Sequence, residues 1–174
     1  MRTILITSLC LILATTQSLA KVAFIQFSEL IECSELIVVA KVQQVKSLST
    51  GRHYAEAKIS EIWKGKSAET IEFLASPTWP CDISDAKAGE TVLLFLTKNS
   101  DSRSYAISHS GRGRRPVHVI DGKRVVFFGE VIIPAETPTV KDEKAKGRGV
   151  KWFDVETVQD MVATAQLKAS KRSP

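Results

Sequence analysis

Leu36-Ile37-Val38-Val39-Ala40-Lys41-Val42-Gln43-Gln44-Val45 begins apolar on both faces and ends with apolar and polar residues mixed. A strand that starts between two buried layers and runs outward to solvent reads this way. Three more segments have strand character: Tyr54 to Trp63, Ile71 to Leu74 and Thr91 to Leu96. Each ends at glycine, proline, serine or a charge cluster. In the second, Glu56, Lys58 and Glu61 imply a bulge or change of face near Ser60. Thr91 to Leu96 is almost continuously apolar and reads as a central strand. Tyr105 to Ile107 returns as a shorter strand after the polar turn Asn99 to Arg103. Val117 to Ile120 and Arg124 to Phe128 then flank Asp121-Gly122, the strongest tight-hairpin signal in the chain. The pattern predicts a mainly β protein, a small barrel or sandwich.

Two helices frame these strands. Ser28 to Glu32 reads as a short one, with Ser28 as N-cap and Leu30 and Ile31 inward. Near the other end Asp154 is a candidate N-cap. Val155, Val158, Met161, Val162 and Ala165 follow at i, i+3, i+4 spacing and form one apolar face, which predicts a C-terminal helix packed on the barrel.

The first residues set the expected compartment. Met1-Arg2 is a positive start, Ile4 to Ala14 is an apolar run, and Ser18-Leu19-Ala20 supplies small residues where signal peptidase reads them. About eleven apolar residues fall short of the ~20 that cross a bilayer. Residues 1–20 are therefore expected to be a signal peptide, leaving a secreted or periplasmic chain that starts at Lys21, with no membrane span. The expected units are a barrel domain over 21–133, a flexible segment over 134–150 with its prolines, glycines and mixed charges, and the helix with a basic tail over 151–174. Loss of Arg2 lowers the formal charge of +5 by one, to +4, a balance compatible with acidic surfaces, glycans or nucleic acid and with none of them. Cys10 leaves with the leader, so Cys33 and Cys81 are expected to form a disulfide closing a long loop. A redox or metal-binding pair would show close spacing such as C-x-x-C, which is absent.

Cys33 to Val42, Lys58-Ile59-Ser60-Glu61-Ile62-Trp63-Lys64-Gly65, Cys81, and Gly89-Glu90 leading into Thr91 to Leu96 together resemble the N-terminal domain of tissue inhibitors of metalloproteinases and the related netrin-like modules, including bacterial exported members. The resemblance covers roughly residues 30 to 110. It implies an OB-fold-like barrel, closed or partly open, and an exported non-catalytic binding module whose partner is a protein, protease-like in the inhibitor case. In those inhibitors a first-residue cysteine chelates the protease zinc. Here the expected first residue is Lys21, so no residue carries over as that chelating group, and Lys21 enters only as a candidate partner contact.

A second candidate site is Ser108-His109-Ser110-Gly111-Arg112-Gly113-Arg114-Arg115-Pro116. Read as a glycine-loosened exposed loop, it offers Arg112, Arg114 and Arg115 to phosphate, sulfate or carboxylate groups. A polyanion- or glycan-binding module is thus the alternative function, beside pairing of those arginines with neighbouring acids and a structural role in the envelope. Catalytic and metal sites find little support. Adjacent His109 and Ser110 do not make nucleophile-base geometry with Asp121, and His53, His109 and His118 are scattered. No motif calls for a cofactor, and the oligomeric state is left open.

Overall fold

The computed structural model describes residues 24–48, 51–76, 85–99, 104–141 and 150–171. In chain order these form β1 (Ile25–Gln26), α1 (Phe27–Cys33), β2 (Leu36–Ser47), β3 (His53–Lys64), β4 (Thr70–Leu74), β5 (Thr91–Lys98), β6 (Tyr105–Ile107), β7 (Arg114–Ile120), β8 (Lys123–Phe127), β9 (Val131–Ile132), β10 (Trp152–Asp154) and α2 (Val155–Ser170). The protein is mainly β, with a closed five-strand barrel and two helices.

Barrel closure follows from pairing. β2, β3 and β4 form an antiparallel meander, β4 pairs with β6 in parallel, β6 pairs with β5, and β5 returns to β2. This is an OB-fold-like path. The open edge of β5 is shared: Leu96, Thr97 and Lys98 pair with β6, while Val92, Leu93 and Leu94 pair with β7. β7 then carries β8 and β10 as an extension of the sheet.

The apolar runs at the start of β2 and through β5 are explained by two cores, one on each face. Leu36, Val38, Ala40 and Val42 point into the barrel with Val92, Leu94 and Leu96, against Phe73 and Ile71 of β4. Ile37, Val39, Leu93 and Phe95 point outward into a second core built with Leu30 and Ile31 of α1 and Val155, Val158 and Val162 of α2. Phe27, Phe95 and Phe128 meet edge to face there, with centroids 5.2 to 6.4 Å apart. Both faces of these strands are dry, so neither shows the alternation of a half-exposed strand.

The bulge expected near Ser60 is present. Val39 pairs with Glu61 and Ala40 with Ile59, so Ser60 is skipped, and its Oγ donates to Val39 O at 3.0 Å. Asp121 and Gly122, both at positive φ, close the β7–β8 hairpin. Asp154 caps α2 by accepting from Glu156 N at 3.0 Å. The N-terminal helix differs from expectation: it begins at Phe27, its N-cap is Gln26, and no side chain caps it, so Ser28 lies inside the first turn. The buried Phe27 ring and the pairing of Ile25 with Val131 hold this end instead. At the other end, Lys64 Nζ donates to Ile31 O at 2.6 Å.

Cys33 is a free thiol at the surface, its Sγ donating to Leu30 O at 3.4 Å. Partial burial pushes the thiol up. The expected partner of its disulfide, Cys81, lies outside the described residues, as do the leader 1–20, Lys21 and residues 142–149 of the segment expected to be flexible.

Candidate functional site

Two concave sites occupy different parts of this scaffold. The larger is a groove of about 860 Å³ between α1, α2 and the segment after β9. Both helices are fixed by the outer core. Gln166 Nε2 donates to Trp63 O at 2.9 Å and ties α2 to β3, and Thr137 Oγ1 sits 3.8 Å from Met161 Sδ. Phe27, Ile31, Met161 and Ala165 supply apolar lining, and Glu32, Glu136, Asp160 and Lys168 are its charged residues. Ile132, 43 % exposed, continues the apolar surface. Sequence periodicity placed Met161 and Ala165 on the inward face of α2. They are only partly buried there because they stand at its border, where the outer core opens into the groove.

The smaller site changes the reading of the arginine segment. Arg114 and Arg115 lie inside β7, opposite Leu94 and Leu93, and are 5 % and 1 % exposed. They do not form an exposed loop. The sequence concealed this because Gly113 and Pro116 interrupt the strand pattern. Gly113 is needed for closeness rather than looseness: a Cβ there would stand 2.4 Å from Phe95 O. Phe95 fills the gap between β6 and β7, donating to Gly113 O at 2.8 Å and accepting from Ser108 N at 2.9 Å. Pro116, which has no N–H to give, stands where β7 passes from β5 to β8 as its partner.

The three arginines have different settings. Arg112 is half-buried and its Nη1 donates to His109 O at 3.3 Å. Arg114, itself buried, makes a part-buried ion pair with Glu90. Arg115 lies with Cζ 5.5 Å from the centroid of the Phe128 ring. Burial pushes its guanidinium down from its ordinary value to about 10, Glu130 opposes the shift and Arg112 adds to it. It therefore remains a cation at neutral pH.

Other candidate groups stay apart. Ser110 and Asp121 flank opposite ends of β7, whose seven residues span roughly 20 Å at the usual rise. His109 and Ser110 occupy a turn with φ of 51° and 52°. Among the described residues no cluster of three or more His, Cys, Asp or Glu side chains is placed to hold a metal ion. No described helix is long and apolar enough to cross a membrane. No family model matches the chain, and no curated protein matches it.

Proposed function

We infer that this chain is an exported, non-catalytic binding module whose partner is a protein segment seated in the groove between the two helices. The observation that carries the reading is that groove, about 860 Å³ of largely apolar concavity built on a rigid barrel. Its three carboxylates against one lysine complement a segment with apolar side chains flanked by Lys or Arg. Export rests on the leader-like residues 1–20. The resemblance to metalloproteinase inhibitors supports a protease as the partner. Because the expected N-terminus lacks the chelating cysteine, the groove carries the contact in this reading. Burial of Arg114 and Arg115 removes support from the polyanion alternative, which needed them exposed.

The test is capture from extracellular or periplasmic extract by the wild type and by Met161→Asp and Ala165→Asp, followed by synthesis of the candidate segment of each captured protein. The expected partner supplies a peptide that binds at high salt and loses about tenfold or more in affinity to either variant, a loss of roughly 1.4 kcal/mol. Equal binding by the variants would remove the groove from the reading. Inhibition of a zinc metalloproteinase by the wild type, lost in both variants, would support the protease form.

A further inference from the structure

A cavity of about 310 Å³ lies among β7, the end of β8, the turn after it and β10, with Arg115, His118, Phe127, Glu130 and Trp152 in its walls. Three donors of these wall residues are wholly covered and meet no acceptor: Arg115 Nε, Arg115 Nη2 and Trp152 Nε1, so an occupant of the cavity reaches them by displacing a covering side chain. Buried N–H groups are nearly always satisfied, so three around one cavity call for an explanation. Nε–H and Nη2–H lie parallel along one edge of a guanidinium, the edge that receives both oxygens of a carboxylate. Among the described residues no carboxylate is ion-paired with Arg115, and Glu130 acts on it only through its field. Arg114, Pro116 and Gly129 also line the cavity, and the rest of the wall is aromatic. His118 and Trp152 meet edge to face at 5.1 Å, and Phe127 lies 6.0 Å from Trp152.

We propose that this pocket binds a single carboxylate carried on a small apolar or aromatic body, held bidentately by Arg115 Nε and Nη2 with Trp152 Nε1 as a third donor. The charge balance selects a monoanion. Of the two buried cations in the wall Arg114 is already paired with Glu90, which leaves Arg115, and Glu130 opposes a second negative charge. The planar fork accepts carboxylate and phosphate oxygens alike, so it is the single charge and the aromatic wall that select a carboxylate, and the volume sits at the small end of ligand sites. The site stands on observations independent of the groove, so either assignment survives failure of the other.

Such a carboxylate belongs either to a free small acid or to the C-terminus of a polypeptide. Titration of the ¹⁵N-labelled exported protein with benzoate and with N-acetylphenylalanine separates these sources. The readouts are the Arg115 Nε–H and Trp152 Nε1–H resonances. Both are expected to move saturably with at least one of the two acids, with Kd on the order of 1 mM or tighter, and to stay fixed with benzamide and N-acetylphenylalaninamide. Tighter binding of benzoate assigns a free acid; tighter binding of N-acetylphenylalanine assigns a chain end. Arg115→Met abolishes the response of Trp152, while Trp152→Phe keeps the Arg115 response and weakens it. Absence of a saturable shift in the wild type with either acid would overturn the proposal. So would equal shifts with the uncharged amides, or tighter binding of inorganic phosphate.

Discussion

Replacing Arg115 by Met is expected to stabilise the protein, against the usual outcome of a core substitution. A guanidinium lowered by burial to about 10 means that keeping its charge inside the fold costs about 3 kcal/mol. Met occupies much of the same unbranched stem and loses the contact with the Phe128 ring, worth about 1 to 2 kcal/mol in a desolvated setting. The balance is a gain of about 1 to 2 kcal/mol, in line with other replacements of buried charge by apolar side chains. At this chain length it raises Tm by roughly 3 to 6 °C. The sign with pH is definite. The cation is penalised in full below about pH 10 and progressively less as pH rises from there towards the ordinary guanidinium range, so the gap between variant and wild type is flat near neutrality and narrows in alkali. Urea denaturation with an unchanged slope reads the difference directly. Destabilisation by more than about 1 kcal/mol would refute the reasoning, because it would mean that the guanidinium has a structural partner.

Gly113→Ala places a Cβ 2.4 Å from Phe95 O and is expected to cost about 1 to 3 kcal/mol by forcing β5 and β7 apart; a change too small to resolve by urea denaturation would show that this edge yields. Glu90→Gln removes the charge facing buried Arg114 and should lower stability by about 3 kcal/mol, read from the urea midpoint; an unchanged midpoint would show that this ion pair contributes nothing. Asp154→Ala deletes the cap of α2, for an expected loss of about 1 kcal/mol, and Asp154→Asn should recover most of it in the same assay. Leu94→Ala in the barrel interior, where Leu94 is fully buried, should cost about 2 to 5 kcal/mol; a loss well below that range would mean the barrel collapses around the void.

Much of the fold was legible locally. The doubly apolar starts of β2 and β5, the hairpin at Asp121-Gly122, the bulge at Ser60 and the cap at Asp154 each depend on a few neighbouring residues and a backbone preference. The start of α1 was misplaced because Phe27 is pinned by Phe95 and Phe128, far along the chain, and no local cap signal records that. Strand β7 is longer than its local pattern predicts for a similar reason. Gly113 and Pro116 look like loop residues, and only the pairing of Arg114 and Arg115 with Leu94 and Leu93 draws them into the sheet. Both candidate sites depend on such long-range pairing. The groove needs α1 beside α2, and the pocket at Arg115 needs β7 beside β10, which itself is held through β8. Sequence determined the strand alternation, the turns and the helical cap, because those energies are set within a few residues. Tertiary structure decided which arginine is buried and what it faces, because desolvation of a charge depends on every element that closes around it.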